Sequence, residues 1–309
     1  MAFEEYVQKE IVADCAEGYL TRREALRRLM VLGVGAAAAG VMLAGCADDD
    51  GDGPDADAAT STTLPATTAT TAGGAAAPAG PAPLPTAPIT FAGPAGELKG
   101  SWSAAAEPKG AVLIIHENTG LTPHFVAMPG RLAASGYSAL AIDLLSGQGG
   151  TATFADPAEA TAALGKLPPE QALADLKSGI DELQRRVPGK KIAAVGFCMG
   201  GGFVWRLLAS GEPRLAAAVP FYGPTPDNPD FTGSKDVAVL GIYAAQDQRV
   251  NATEPVARAA LEKAGSVFEL VTEPDANHAF FNDTGDRYNP AAAADAWRRV
   301  QDWFTRYVG

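Results

Sequence analysis

The feature that most constrains the fold is a strand that runs into a glycine-rich turn and then into a helix. Residues 191–195 (Lys-Ile-Ala-Ala-Val) are predicted to form a short buried β-strand, and residues 203–208 to begin a helix with an apolar face. Between them, residues 196–200 read G-x-C-x-G, the nucleophile-elbow pattern with a thiol in place of the hydroxyl. A helix N-terminus at this bend would favour a developing anion on Cys198. An inert buried cysteine in a tight turn fits the pentapeptide equally well, so the pattern alone leaves both interpretations open.

The remainder of the second half of the chain alternates between predicted strands and helices. The run at 111–115 is apolar throughout, which is typical of a strand buried on both faces. Such alternation predicts an α/β fold, a mostly parallel central sheet with helices on both faces, in one domain from residue 89 to residue 309. The predicted strands cover residues 89–92, 97–104, 111–115, 138–142, 191–195, 215–221, 237–243 and 267–272, and the predicted helices residues 123–134, 157–164, 170–187, 254–264 and 291–307.

The first 46 residues are predicted to be an export signal rather than part of a fold. Residues 21–27 resemble a twin-arginine motif, and residues 29–44 are apolar but too short for a comfortable transmembrane helix. Residues 43–46 read Leu-Ala-Gly-Cys, which resembles a lipobox and implies cleavage before Cys46 and lipidation of its thiol. An uncleaved membrane anchor is the alternative. Either interpretation places the rest of the protein outside the cytoplasm, in the cell envelope.

Residues 47–88 are predicted to be a disordered linker, because they are rich in Ala, Thr, Pro and Asp and contain almost no large apolar side chains. If Cys15 is removed and Cys46 is acylated, Cys198 is the only free thiol and no intramolecular disulfide can form. The net charge of −12 opposes nucleic-acid binding. Three cysteines and three histidines show no metal-ligand spacing, so no metal or organic cofactor is predicted.

Reactive side chains in such a sheet are expected where parallel strands end. The order Cys198, Asp247, His278 is the nucleophile–acid–histidine order that is typical of a hydrolase built on an elbow. A capping role for Asp247 and a solvated loop position for His278 stay open as alternatives. Asp143 is expected to be a structural hydrogen-bond acceptor, and His124 a surface or capping residue. The residues at or next to the predicted strand ends are His116, Glu117, Asn118, Asp143, Cys198, Tyr222, Asp247 and His278.

Residues 89–309 resemble the dienelactone hydrolase family of α/β-hydrolases. The motifs that carry the resemblance are residues 116–120 (His-Glu-Asn-Thr-Gly), 196–201, 246–247 and 278–280. The resemblance implies that Cys198 is the nucleophile, that His278 is the base and that Asp247 orients it.

The resemblance also implies three supporting roles. Glu117 would be the additional carboxylate that interacts with the resting thiol and helps to deprotonate it when substrate binds. The oxyanion hole would be formed by the backbone N–H groups of Met199 and Asn118.

The pocket departs from the family at the residues that bind a substrate carboxylate. Asn282 stands where the family has an arginine four residues after the catalytic histidine, and residues 144–170 contain no arginine. We therefore expect neutral substrates to be preferred, unless Arg249 supplies the missing charge. Tyr222, Arg249 and Asn282 are the pocket candidates.

Together these observations predict an exported hydrolase of small carboxylic esters or lactones, anchored to the membrane by a lipid on Cys46. Two alternatives stay open, a thioesterase or acyl-transfer enzyme with the same triad and a catalytically silent binding protein of the envelope. The sequence makes no prediction about oligomeric state or natural substrate.

Overall fold

The computed structural model describes residues 3–46 and 79–309. Most of the predicted linker, residues 47–78, lies outside the described residues. Three helices precede it: α1 (Phe3–Ala16), α2 (Arg22–Val31) and α3 (Ala36–Met42). Among the described residues, no helix combines the length and the apolar character that crossing a membrane requires.

Eight strands form one sheet in the order β1-β2-β4-β3-β5-β6-β7-β8. The β1–β2 and β2–β4 pairs are antiparallel, and every other neighbouring pair is parallel. This confirms the predicted α/β class. The strands are β1 (Ala87–Gly93), β2 (Gly96–Ser103), β3 (Gly110–Ile115), β4 (Tyr137–Asp143), β5 (Ile192–Phe197), β6 (Leu215–Phe221), β7 (Ala238–Ala244) and β8 (Phe268–Glu273).

Helices cover both faces of the sheet, as the central strand β3 shows. Successive strand residues point to opposite faces. Leu113 packs against Gly179 on one face, whereas Ile114 shares a small apolar cavity with Met128 and Val300 on the other. The helices of this domain are α4 (Pro123–Ala134), α5 (Pro157–Gly165), α6 (Pro169–Arg186), α7 (Met199–Ala209), the short α8 (Gln248–Asn251), α9 (Glu254–Ala264) and α10 (Pro290–Tyr307).

The predicted linker ends earlier than residue 88. Gly80 packs on the indole of Trp297, and the Leu84 N–H donates to the carbonyl of Gly130 at 3.1 Å. The Ser103 hydroxyl donates to the carbonyl of Pro85 at 2.9 Å. Residues 79–88 therefore belong to the folded domain, because their backbone groups find partners on it although their side chains are small.

Residues 3–46, which we call the N-terminal cap, pack on the domain of residues 79–309 in the intact chain. The expectation that they lie outside the fold is therefore wrong. One face of α1 is buried at helical spacing, through Tyr6, Val7, Glu10 and Ile11. The apolar run after α2 does not continue as one helix, because Gly33 takes a left-handed φ of 91° and turns the chain.

A disulfide joins Cys15, at the end of α1, to Cys46. The uncleaved chain therefore uses the Cys46 sulfur for a crosslink, which excludes a lipid on the same atom. Cys198 is the free cysteine of the described residues. Export and lipidation stay predictions that concern the processed chain.

Candidate active site

Cys198 stands at a strained bend between β5 and α7. Its φ of 54° and ψ of −116° lie where residues with a side chain are rarely found. The glycines of the pattern make this bend possible. A Cβ on Gly196 would lie 2.1 Å from the carbonyl oxygen of Gly200, and a Cβ on Gly200 would lie 2.3 Å from that of Ile115. The local structure is thus the nucleophile elbow that the sequence predicts.

Asp247 and His278 come from the loops after β7 and β8 and meet beside the elbow. His278 Nδ1 lies 2.5 Å from Asp247 Oδ2, and both side chains are buried. Asp247 Oδ1 also accepts the N–H of Val250 at 3.1 Å. The same carboxylate therefore caps α8 and holds the imidazole, so the capping role of Asp247 does not exclude the catalytic one.

The charges of this pair support each other. Burial opposes protonation of His278, but the carboxylate of Asp247 and the neighbouring Cys198 together outweigh it and raise the pKa of the imidazole well above its ordinary value. Burial likewise opposes ionisation of Asp247, but the charge and hydrogen bond of His278 lower the pKa of that carboxyl. The pair is thus built to hold an imidazolium next to a carboxylate.

The thiol faces two side chains of α1. Cys198 Sγ donates to Glu10 Oε1 at 3.3 Å, and the Tyr6 hydroxyl lies 3.3 Å from the same sulfur. His278 Nε2 lies 3.4 Å from Glu10 Oε1, without the alignment of a hydrogen bond. Burial, and then the charge of Glu10, raise the pKa of the Cys198 thiol to about 11. In the intact chain the thiol is therefore protonated at neutral pH.

The family resemblance predicts a contact between Glu117 and the Cys198 thiol, but in this structure Glu117 has other partners. Its Oε1 accepts from the Tyr222 hydroxyl at 3.2 Å, and its Oε2 accepts from Asn282 Nδ2 at 2.9 Å. The buried His116 fixes the backbone here, since its Nδ1 lies 2.6 Å from the carbonyl oxygen of Glu117. Burial raises the pKa of Glu117. The carboxylate at the thiol is Glu10, which α1 brings in from 188 residues away.

Two further predicted residues also contact the cap. The side-chain amide of Asn118 donates to Glu10 Oε2 at 2.9 Å. The guanidinium of Arg249 stacks on the ring of Tyr6, 4.6 Å from its centroid. Met199 is the first residue of α7, directly after the nucleophile, and is buried.

The sequence also made predictions for Asp143, which is confirmed, and for His124, which is wrong. Asp143 accepts hydrogen bonds from Leu145 and Thr151, which confirms its structural role. His124 is buried instead of lying at the surface, because its Nδ1 binds Asp283 at 2.7 Å on the loop that carries His278.

A cavity of about 210 Å³ remains between the cap and the domain. Cys198, His278, Glu117, Asn118 and Asn282 line it from the domain, together with Arg287. Tyr222 lies behind Glu117 and is fully buried.

The nearest approach to a metal site in this cavity combines a cap residue with Cys198 and His278. One donor atom each from Glu10, Cys198 and His278 lies within 4.8 Å of the others. The Cys198 thiol donates to Glu10, and the charges of Glu10 and His278 offset each other, so their burial needs no metal ion to explain it.

A comparison with protein families matches residues 100–308 to the Dienelactone hydrolase family. The chain belongs to the dienelactone hydrolase family. Among its relatives, a Salmonella typhi protein described as "Putative carboxymethylenebutenolidase" is 34% identical over 210 residues, which cover 64% of this chain and 77% of that protein. An Escherichia coli K12 protein with the same description is 33% identical over 214 residues, or 65% of this chain and 79% of that one.

A solved structure extends the likeness of this dienelactone hydrolase family member to three dimensions. The crystal structure titled "Putative Dienelactone Hydrolase" from Klebsiella pneumoniae has a TM-score of 0.63 and 29% identity. The match covers 72% of this chain and 98% of that chain. The fold and the family are therefore established, and the roles of individual residues rest on the geometry of the site.

Sequence reasoning missed the two cap residues at the site. Tyr6 and Glu10 carry no catalytic motif, but they share one helix face with Val7 and Ile11. That apolar spacing was the signal that residues 3–16 form a packed helix.

Proposed function

We propose that the protein hydrolyses carboxylic esters or lactones through a Cys198–His278–Asp247 triad and an acyl-enzyme intermediate. The single observation that carries this proposal is the strained elbow that places Cys198 beside the bonded Asp247–His278 pair. A buried carboxylate 2.5 Å from an imidazole orients the ring and stabilises the imidazolium that forms when the histidine takes a proton from a neighbouring nucleophile. The descriptions of the two curated relatives support the lactone class.

The first half of the reaction forms a thioester. His278 Nε2 accepts the thiol proton, and the Cys198 thiolate adds to the carbonyl carbon of the substrate. The backbone N–H groups of Met199 and Asn118 stabilise the oxyanion, each contributing about 10²–10³ in rate. The intermediate collapses, the imidazolium returns the proton to the leaving alkoxide, and the acyl group stays on sulfur.

The second half consumes water. His278 deprotonates a water molecule, the hydroxide adds to the thioester carbonyl, and the thiolate leaves and is reprotonated. Asp247 keeps the imidazole in the tautomer that presents Nε2 in both halves. Glu117, held by Tyr222 and Asn282, supplies a second carboxylate close to the reacting carbonyl.

Export and lipid anchoring at Cys46 are the second part of the proposal. The sequence supports them through the twin-arginine and lipobox resemblances, and they would place the hydrolase on the outer side of the membrane.

Neutral esters are expected to be better substrates than esters that carry a carboxylate. Asn282 is uncharged and hydrogen-bonded to Glu117, and in the intact chain Arg249 stacks on Tyr6, so neither residue presents a free cation to a substrate. A charge-assisted hydrogen bond contributes about 1.5–3 kcal/mol, so its absence costs roughly tenfold or more in kcat/KM. The measurement compares p-nitrophenyl butyrate with the mono-p-nitrophenyl ester of succinate, which share the leaving group, and adds a phenyl thioester for the thioesterase alternative.

The control shows whether an effect of Arg249→Ala is specific to that position or follows the loss of any positive charge. Arg249→Ala is compared with Arg258→Ala, an exposed arginine on α9 that pairs with Glu254. A wild-type preference for the succinate ester that disappears only in Arg249→Ala contradicts the prediction and makes Arg249 the carboxylate anchor. Faster turnover of the thioester than of either oxygen ester would replace ester hydrolysis by the thioesterase alternative.

A further inference from the structure

Two side chains of α1 occupy the space in which an acyl group would react. Tyr6 and Glu10 each place an oxygen 3.3 Å from Cys198 Sγ. Attack requires the carbonyl carbon of the substrate at about 3–3.5 Å from the nucleophile. Cys198 is 1% exposed in the intact chain. A substrate carbonyl cannot reach the sulfur until these two oxygens leave.

The same carboxylate engages both halves of the nucleophile–base pair. Glu10 Oε1 accepts a hydrogen bond from the Cys198 thiol and also lies 3.4 Å from His278 Nε2. Burial works against ionisation of Glu10, but the nearby His278 and the charge of Arg249 lower its pKa. The resulting negative charge beside the sulfur disfavours the thiolate. The contact is thus unfavourable to catalysis on electrostatic as well as steric grounds.

The remainder of the cap matches the charge of the pocket mouth. Asp14 accepts from Arg287 at 2.6 Å, and Glu17 accepts from the amide of Asn277, next to the catalytic histidine, at 2.9 Å. The guanidinium of Arg287 also lies over the ring of Tyr19, 3.8 Å from its centroid. These contacts continue from the thiol to the outer rim of the site, so the whole helix and the turn after it are fitted to the mouth.

The cap is also one covalent unit. The Cys15–Cys46 disulfide ties the end of α1 to the last residue of the cap, and Arg27 on α2 binds Asp156 of the domain at 2.5 Å. Cys46 is the residue before which the lipobox resemblance predicts cleavage. A cut after Cys46 would detach α1, α2 and α3 together, whereas a cut before Cys46 leaves them joined to the domain through the Cys15–Cys46 disulfide until that bond is reduced.

We propose that the N-terminal cap is an inhibitory segment that holds Cys198 unreactive until it is cleaved or displaced. This inference rests on the proposed function, because it assumes that Cys198 is the nucleophile. It names the regulation of that site: α1 takes the place of the substrate, and detachment of the cap opens the cavity. The hydrolase is then silent as an intact precursor and active after processing.

The test measures the reactivity of Cys198 itself, so it does not depend on the identity of the substrate. Full-length wild type, Glu10→Ala and Tyr6→Ala are alkylated with iodoacetamide in EDTA without reductant, which leaves Cys15 and Cys46 crosslinked. Mass spectrometry of the peptide that contains Cys198 gives the rate. The matched control is Glu5→Ala on the same helix, because Glu5 is half exposed and pairs with Lys9.

A second arm keeps the native cap and domain sequences. A protease site is inserted within residues 47–78 of the full-length chain, the protein is cut and then diluted, and both alkylation and hydrolysis of p-nitrophenyl butyrate are followed. Cutting converts an intramolecular contact into a bimolecular one, so the cap should dissociate on dilution.

We expect Cys198 in Glu10→Ala and in the cut, diluted protein to be alkylated at least about tenfold faster than in wild type and in Glu5→Ala. Removal of one adjacent negative charge lowers a thiol pKa by about one unit, which alone gives about tenfold more thiolate. Ester hydrolysis should rise in parallel. Alkylation rates that are unchanged or lower in both forms would overturn the proposal.

The outcomes also separate the two proposals. The uncapped forms could be alkylated faster while no form hydrolyses any ester. That result would support inhibition by the cap and overturn the proposed function. Fast hydrolysis by the intact wild type, with no gain in Glu10→Ala or after cutting, overturns the cap and leaves the function standing. A fall in hydrolysis in Glu10→Ala would assign Glu10 to the catalytic machinery and also overturn inhibition.

Discussion

Cys198→Ala is expected to lower the turnover of ester substrates by at least about 10³-fold, measured on the most active form of the chain. Alanine removes the sulfur on which the acyl group forms, and no other described thiol is free to replace it. His278→Ala should cost about as much, because a thiol that donates its proton to no base is a poor nucleophile. The double variant should be little worse than either single one, since the two residues act as a unit.

The control for this result is the integrity of the fold. Thermal melting of each variant should stay within a few degrees of wild type, because Cys198→Ala removes one small buried group. Turnover above a few per cent of wild type in a folded Cys198→Ala protein would show that another residue is the nucleophile. An additive loss in the double variant would show that Cys198 and His278 act independently.

Asp247→Asn is expected to lower kcat by about 10²–10⁴-fold while leaving the protein folded. Asparagine can still cap α8, but it cannot stabilise the imidazolium of His278, and its amide favours the wrong tautomer. Removing the carboxylate also takes away the interaction that raises the pKa of His278. Asp275→Asn is the matched control, because Asp275 is an exposed carboxylate three residues before the histidine.

The same substitution should change the pH dependence of stability. The raised pKa of His278 stabilises the fold at pH values below about 6.5, and this contribution is lost as pH rises through the folded pKa. The lowered pKa of Asp247 contributes above about pH 4 and is lost as pH falls through its folded value. The stability difference between wild type and Asp247→Asn should therefore be largest between about pH 4 and 6.5. A difference that grows steadily above pH 7 would contradict the ion pair.

The sequence predicts the geometry of the candidate site well because each of its parts is set by local rules. The bend at Cys198 needs small residues on both sides, and the pentapeptide has Gly196 and Gly200 there. Asp247 and His278 follow strands, and the geometry of a parallel sheet brings strand ends together whatever lies between them. The predicted helices over residues 123–134 and 254–264 match α4 and α9, which begin at proline-containing turns.

What the sequence did not predict depends on contacts between distant parts of the chain. The partners of Glu117 are Tyr222 and Asn282, 105 and 165 residues away, and no local pattern specifies them. The burial of His124 follows from Asp283, 159 residues away. The packing of the N-terminal cap was not predicted for a different reason. The resemblance to export signals placed these residues outside the fold, although the apolar face of α1 indicates a packed helix.

The most direct test of the proposed chemistry is the mass of the enzyme during turnover. The most active form of the chain is mixed with p-nitrophenyl butyrate, quenched in acid within the first turnovers, digested and analysed by mass spectrometry. The triad predicts a butyryl group on the peptide that contains Cys198, absent from Cys198→Ala and cleared as substrate is exhausted. Continued ester hydrolysis with no acyl group on Cys198, or with the acyl group on another residue, would contradict it.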